Sequence, residues 1–225
     1  MAINNDLPDA VLWDMDGTLI DTEPYWIAEE KSLVADAGGV WTDEDAHQLV
    51  GNPLAVSAQI LIDNTPVTGS VEAIVNRLLT RVVHRVKHHM PWRPGARDLL
   101  IELNRTGVPC ALVTMSYTEL AEILIEELPP GTFSAVITGD IVANGKPHPE
   151  PYLTAVAALE VRPENCIAIE DSPTGTKSAV AAGVPTIAVP HTVPVPYITG
   201  SVQVDSLLGV SAADLNQLVS TAAST

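Results

Sequence analysis

Hydrophobic and polar positions change their spacing twice along this 225-residue chain. A short apolar run over residues 10–13 ends directly at Asp14, which is typical of a buried strand that meets a loop. From about residue 22 to residue 89 the spacing is helical and strand signals are few. After the Pro94-Gly95 pair, short apolar runs alternate with helical segments. The pattern therefore predicts a helical segment inserted after the first strand of an α/β domain.

The alternation in the second part of the chain predicts a parallel sheet with helices on both faces. We expect a core made of residues 1–20 and 91–225, with an inserted helical domain over residues 21–90. The predicted strands cover residues 10–13, 109–114, 135–138, 166–169, 184–189 and, as an edge strand, 202–204. The predicted core helices cover residues 96–105, a segment ending near 128, 149–159, 174–182 and a last helix from 211.

Composition narrows the possible partners. The chain carries 28 Asp and Glu against 11 Lys and Arg, a formal net charge of −17, which argues against nucleic acid and anionic membranes as partners. With 46% hydrophobic residues the chain is expected to be globular. No secretory signal is visible, and prolines and glycines break the uncharged stretch 178–204 into short pieces. We expect a soluble cytoplasmic protein, monomeric by default, with Cys110 and Cys166 as inert core thiols.

Polar residues follow the predicted strands at four places. They are Asp14 with Asp16, Thr114, Lys146, and Glu170 with Asp171. Open parallel sheets bind ligands beyond the carboxyl ends of their strands, so these side chains are expected to converge at one edge. The sequence thus predicts one site there.

The acidic residues of this set point to a metal ion. Two like charges about 4 Å apart repel by roughly 4 kcal/mol at an effective dielectric near 20, so four clustered carboxylates need a cation. Mg²⁺ is the natural candidate, because it prefers oxygen ligands and leaves room for a substrate phosphate. An acidic turn without chemistry is the alternative for Asp14 and Asp16; a calcium loop of the EF-hand type is excluded, since Leu19 and Tyr25 replace its Gly and Glu.

Lys146 and Thr114 complete the set as possible phosphate ligands. Lys146 stands in a Gly-Lys-Pro segment that does not fit a Walker A loop, because Pro147 replaces its Ser or Thr. It could pair with phosphate and with a carboxylate, or be an ordinary surface lysine. The Thr114 hydroxyl and the following backbone amides of Met115 and Ser116 can hold phosphate oxygens, although a threonine at a strand end is common.

The segments DMDGTLIDTE, GKPHPEPY and EDSPTG, in this order with Thr114 between the first two, resemble the haloacid dehalogenase superfamily. Within it they look like the branch with an inserted helical cap, which includes β-phosphoglucomutases and sugar or polyol phosphatases. The resemblance covers nearly the whole chain and implies a Rossmann-like core. It implies a Mg²⁺-dependent phosphatase that hydrolyses a small phosphorylated sugar, polyol or triose through an aspartyl-phosphate.

The resemblance also implies a role for each residue. Asp14 would be the nucleophile, and Asp16 the general acid and then the base. Mg²⁺ would be held by the Asp14 carboxylate, the Asp16 backbone carbonyl and Asp171. The remaining residues are Glu170, as a direct or water-mediated metal ligand, and Thr114, Met115 and Lys146, as phosphate ligands.

Two other functions remain open as alternatives. A β-phosphoglucomutase-like phosphomutase is disfavoured, because Trp26 stands where those proteins typically carry a His and LVGNPL around Asn52 has no nearby Arg. A non-catalytic binding protein with the same fold is disfavoured, because the acid set is intact.

The predicted cap contributes three further features. Glu23 and Trp26 follow the first motif closely and are candidates for contacting the leaving group, although Trp26 could be cap core. Arg77, Arg81 and Arg85 form an i,i+4 stripe that either pairs with acids on a neighbouring helix or lines the rim of the cleft. His84, His88 and His89 are expected on a solvated helix face rather than in a zinc site.

Overall fold

The computed structural model describes residues 7–49 and 52–222. The chain forms two compact units, of which one joins the segment ending at Ile20 to the segment beginning at Trp92 and the other is Asp21–Pro91. We call them the core unit and the cap unit. Val50 and Gly51 of LVGNPL, and residues 1–6, on which part of the no-signal prediction rests, lie outside the described residues.

The core unit is built on a six-stranded sheet in the order β3-β2-β1-β4-β5-β6, and every neighbouring pair is parallel. The central strands are continuous apolar runs because helices cover both faces of a parallel sheet. All four residues of β1 are buried. The strands are β1 Ala10–Trp13, β2 Cys110–Val113, β3 Ala135–Ile137, β4 Cys166–Glu170, β5 Thr186–Ala188 and β6 Ser201–Gln203. The predicted parallel sheet and Rossmann-like fold are confirmed.

Five α-helices connect or follow these strands in the described part of the core unit. The Ser172 hydroxyl caps one of them by accepting a hydrogen bond from the Gly175 backbone N–H. We number the cap helices α1–α4, so the core helices are α5 Ala96–Thr106, α6 Thr118–Glu126, α7 Glu150–Ala158, α8 Pro173–Ala181 and α9 Leu215–Ala222. A cluster of buried side chains between the sheet and helices α7 and α8 includes Leu12, Val113 and Tyr152.

The predicted elements differ from the observed ones mainly at their ends. The strand predicted over 184–189 is shortened to Thr186–Ala188, because only these residues pair with both β4 and β6. The last helix was expected from residue 211 and begins at Leu215. Ser211 and Asp214 form a capping box around a short 3₁₀ turn, which occupies the intervening residues.

The cap unit contains four helices in its described residues. They are α1 Glu23–Asp36, α2 Asp43–His47, α3 Leu54–Asn64 and α4 Val71–His88. The longest of them, α4, packs against both α1 and α3. It does so because apolar residues recur at helical spacing along one face, where Ile74, Leu78 and Val82 are buried.

Within residues 7–49 and 52–222, no helix combines the length and the apolar character that crossing a bilayer would require.

Glu30 of α1 is a buried carboxyl group inside the cap unit. Its Oε2 accepts a hydrogen bond of 3.4 Å from Trp41 Nε1. Burial raises the pKa of Glu30 from 4.5 to about 8; the Trp41 hydrogen bond lowers it and the charge of Glu23 raises it further. Glu30 is therefore protonated in the folded protein at neutral pH, whereas it ionises in the unfolded chain.

We expect Glu30→Gln to flatten the pH dependence of stability. The folded-state pKa is raised, so the stability that Glu30 contributes is present below about pH 4.5 and is lost as the pH rises through about 8. Urea unfolding from about pH 5 to about pH 9 should show a smaller fall for Glu30→Gln than for the wild type. Glu44→Gln, at an exposed position of α2, is the matched control. Equal pH profiles for the wild type and Glu30→Gln would contradict this assignment.

Candidate active site

Asp14 lies at the end of β1 in a turn that its neighbours fix. Its backbone N–H donates to the Ile169 carbonyl of β4, and its Oδ2 accepts a 2.8 Å hydrogen bond from the Thr18 hydroxyl. Gly17 has a φ of 86°, and a Cβ there would lie 2.1 Å from Asp171 Oδ2. The turn thus requires glycine both for its conformation and for the close approach of Asp171.

Lys146 joins two of the predicted acidic residues. Its Nζ lies 2.7 Å from Asp14 Oδ1 and 2.6 Å from Glu170 Oε1, and it also donates to the Val113 carbonyl at 2.8 Å. Burial lowers the pKa of Lys146, but the charges of Asp14 and Glu170 outweigh it, so the pKa is raised. The side chain is therefore a fixed ammonium, and the surface-lysine alternative is wrong because only 5% of it is exposed.

Glu170 is the last residue of β4 and is fully buried. Its Oε1 accepts hydrogen bonds from Lys146 and, at 2.7 Å, from the Tyr152 hydroxyl, while Ser172 Oγ lies 3.3 Å from its Oε2. Burial and the charge of Asp14 raise its pKa, and the opposing effects of Lys146 and Tyr152 only reduce this rise. A Cβ at Gly175 would lie 1.9 Å from Oε1. With donors on both oxygens, this carboxylate holds Lys146 in place.

Asp16 points to the hydroxyl groups that follow β2. Its Oδ2 accepts a hydrogen bond of 2.7 Å from Ser116 Oγ and one of 3.2 Å from Thr114 Oγ1. Thr114 Oγ1 in turn accepts from the Ser116 backbone N–H. Met115, between them, lies with its Sδ 3.2 Å from the Lys146 backbone nitrogen. The structure thus brings the predicted acid and the predicted phosphate ligands together.

Three carboxylates form a compact group that could hold a cation. Oxygens of Asp14, Glu170 and Asp171 all lie within 4.8 Å of one another. Burial raises the pKa of Asp171, the charges of Asp14 and Glu170 raise it further, and the charge of Lys146 offsets this only in part. Hard oxygen donors with excess negative charge suit a divalent cation. The Asp16 carboxylate is not in this group.

The cap residues predicted from sequence fall into three sets. Glu23 lies in the first turn of α1, and Trp26 is buried, with 9% of its surface exposed. Their contact with a leaving group stays a prediction. Among the described residues, none of the three predicted histidines belongs to a group of three metal-ligating side chains. The Arg77, Arg81 and Arg85 stripe pairs with Asp36 and Glu29 of α1, the first of the two alternatives.

Comparison with known proteins places this geometry in a family. The model of the haloacid dehalogenase-like hydrolases matches residues 11–189. The chain belongs to this family. Hexitol phosphatase A of Escherichia coli K12 is 33% identical over 79% of this chain and 81% of its own length. Hexitol phosphatase B of Escherichia coli O157:H7 is 28% identical over 92% of this chain and 96% of its own length.

Solved structures of this family share the fold over nearly the whole chain. A variant of CbbY from Rhodobacter sphaeroides, in complex with xylulose-(1,5)-bisphosphate, has a TM-score of 0.83 at 26% identity and covers 93% of this chain and 99% of its own. A β-phosphoglucomutase from Clostridium difficile has a TM-score of 0.80 at 20% identity over 97% of this chain and all of its own, which shows the fold alone. The predicted membership of the helical-cap branch is confirmed, as is the predicted class of phosphoric monoester hydrolase.

Several residues with no predicted role hold the predicted site residues in place. Thr18, the side chain of Ser116, Tyr152 and Ser172 each donate a hydrogen bond to a site carboxylate. Tyr152 stands inside the GKPHPEPY segment, and that position was the available signal. Its hydroxyl bond to Glu170 depends on α7 packing under the sheet, which spacing alone does not specify.

We expect Tyr152→Phe to destabilise the core unit by about 1–3 kcal/mol, because the buried Glu170 carboxylate loses a donor that phenylalanine cannot replace. Urea unfolding measures the loss. Tyr197→Phe is the matched control, since Tyr197 is 78% exposed and lies in the same unit. If both variants unfolded at the wild-type urea concentration, the Tyr152 hydroxyl would have no part in holding Glu170.

Proposed function

We propose that this phosphoric monoester hydrolase releases phosphate from a small phosphorylated sugar, polyol or triose through an aspartyl-phosphate on Asp14. The observation that carries the proposal is the buried contact of Lys146 with both Asp14 and Glu170. It holds a carboxylate and an ammonium next to each other at the strand ends, where a phosphoryl group would find a nucleophile and a compensating charge.

The first chemical step uses Asp14 and Asp16. A carboxylate oxygen of Asp14 attacks phosphorus, a new O–P bond forms, and the bond from phosphorus to the substrate oxygen breaks. Asp16, protonated at this point, gives its proton to the departing alcohol oxygen. The hydroxyls of Thr114 and Ser116 hold the Asp16 side chain in this structure, and Thr114 and the Met115 backbone amide are proposed to bind the phosphoryl oxygens.

The second step returns the enzyme to its starting state. Asp16, now ionised, takes a proton from a water molecule, whose oxygen attacks phosphorus and displaces the Asp14 carboxylate. Inorganic phosphate leaves, and Asp16 is again protonated. Lys146 donates to Asp14 Oδ1 throughout and balances the charge that develops on the phosphoryl oxygens.

The acidic set fits a magnesium ion. The Asp14 and Asp171 carboxylates and the Asp16 backbone carbonyl would hold it, with Glu170 near enough to contribute through water. When bound, the ion would offset the repulsion between these acids and the incoming phosphate. A divalent metal is general for this family, and the choice of Mg²⁺ is our proposal.

The proposed substrate class rests on the relatives. The E. coli relatives are hexitol phosphatases, and a neighbouring structure holds a sugar bisphosphate. Those names support a sugar or polyol phosphate for this chain. Glu23 and Trp26 remain the proposed contacts for the leaving group.

The decisive experiment is phosphate release from a panel of sugar, polyol, triose and nucleotide phosphates, with Mg²⁺ and with a chelator. We expect release only with Mg²⁺ and concentrated on one group of sugar or polyol phosphates. Interconversion of glucose 1-phosphate and glucose 6-phosphate without phosphate release, after priming with a bisphosphate, would make the phosphomutase the correct function. Absence of both reactions would favour a non-catalytic binding protein.

We expect Asp16→Asn to separate the two steps. Without an acid, the first turnover of a sugar phosphate should slow by about 10²–10⁴-fold, because its alcohol is a poor leaving group. A burst of 4-nitrophenol from 4-nitrophenyl phosphate should persist in rapid-quench experiments, since that leaving group needs no proton. Asp14→Asn should abolish both, and Asp98→Asn, at an exposed position of α5, should change neither. Equal loss on both substrates in Asp16→Asn would remove the acid role.

A further inference from the structure

The cap unit has an open cavity of about 740 Å³ between α1 and the second half of α4. All its lining residues belong to the cap unit, among them Glu29 of α1 and Arg81 and Arg85 of α4. Its volume lies within the range of about 300–1,000 Å³ that is usual for small-molecule sites. The reaction proposed at Asp14 uses none of these side chains.

Positive charge in this acidic chain concentrates along α4. The helix carries Arg77, Arg81, Arg85 and Lys87, four of the 11 Lys and Arg residues of the chain, and a single acid, Glu72. The three arginines pair with α1, where Asp36 and Glu29 supply two carboxylates. The groups that meet between α1 and α4 therefore carry more positive than negative charge.

A buried carboxylate fixes the two arginines of the cavity. Glu29 is 6% exposed; its Oε1 accepts from Arg85 Nε at 2.5 Å and its Oε2 lies 3.4 Å from Arg81 Nη1. Arg81 Nη1 also donates to Ser32 Oγ at 3.0 Å. The terminal nitrogens of Arg85 have no hydrogen-bond partner in the described parts of the chain. Glu29 thus holds Arg85 in a geometry that leaves two nitrogens available as donors.

The remaining wall of the cavity is also held by internal hydrogen bonds. His88 Nδ1 donates to the His84 carbonyl at 2.7 Å, and the two imidazole rings lie 4.2 Å apart between centroids. The Tyr25 hydroxyl donates to the His89 carbonyl at 3.1 Å. These contacts leave an aromatic and imidazole surface beside the guanidinium of Arg85.

We propose that this cavity is a second anion site, which binds the phosphate group of a small organic phosphate or free phosphate on the terminal nitrogens of Arg85, with the positive charge of Arg81 beside it. A planar guanidinium with free terminal N–H groups matches the oxygens of a phosphate, and a fixed guanidinium loses little entropy on binding. The volume left beyond the phosphate accommodates the organic part of an ester. The site is independent of the chemistry at Asp14.

The test is an amide ¹H–¹⁵N NMR titration of the full chain with inorganic phosphate in the presence of a chelator. We expect saturable shifts at residues 25–29 and 80–89. Arg85→Gln should weaken binding by about tenfold or more, because a hydrogen bond to a charged group is worth about 1.5–3 kcal/mol. Arg77→Gln is the matched control, since Arg77 lies on the same helix and pairs with Asp36 outside the cavity.

Further titrations identify the ligand and distinguish the cap site from the site at Asp14. Tighter binding of glucose 6-phosphate than of phosphate would indicate an ester as the ligand, and equal binding would indicate free phosphate. Asp14→Asn should keep the cap shifts. If Arg85→Gln did not fold, Arg85→Lys should still weaken binding, because an ammonium lacks the planar pair of donors. No saturable shifts in the cap, shifts confined to the residues around Asp14, or unchanged affinity in the Arg85 variant would overturn the proposal.

Discussion

The candidate site depends on the buried ion pairs that the Lys146 ammonium makes with two carboxylates. This ammonium lies between the carboxylates of Asp14, which directly follows β1, and Glu170, the last residue of β4; the two are close because β1 and β4 pair directly. Buried carboxylates so close together would otherwise favour protonation or separation. Removing one partner would leave uncompensated charge in a buried place, so Asp14, Lys146 and Glu170 form one unit in energetic terms.

The residues around this unit serve to position it. Tyr152 and Ser172 supply the other donors to Glu170, and Gly175 leaves the space that this carboxylate occupies. The Thr18 hydroxyl holds Asp14, and the hydroxyls of Thr114 and Ser116 hold Asp16. The excess negative charge that remains is what a divalent cation would neutralise. Stability and chemistry at this site therefore rest on the same hydrogen bonds.

Much of the core was predictable because its physical signals are local. Apolar runs that end in polar residues mark strands whose carboxyl ends meet at one sheet edge, and that rule brought Asp14, Thr114 and Glu170 together. Element ends were less predictable, since pairing with neighbouring strands decides where a strand such as β5 stops. No role for Tyr152 was predicted, because its bond to Glu170 depends on how α7 packs against the sheet, and the spacing of 18 residues between them does not specify that packing.

Glu29 and Glu30, adjacent residues of α1, show what the sequence determines and what the tertiary structure determines. The sequence by itself determined that Glu29 and Glu30 lie in a helix, and it determined the acid motif and its order along the chain. Only the tertiary structure decided that Glu29 pairs with Arg81 and Arg85 whereas Glu30 accepts a hydrogen bond from the indole of Trp41. Consecutive helical residues point in different directions, so one faces α4 and the other faces the segment between α1 and α2. One carboxylate is thereby paired with two cations, and the other is held by burial in its protonated form.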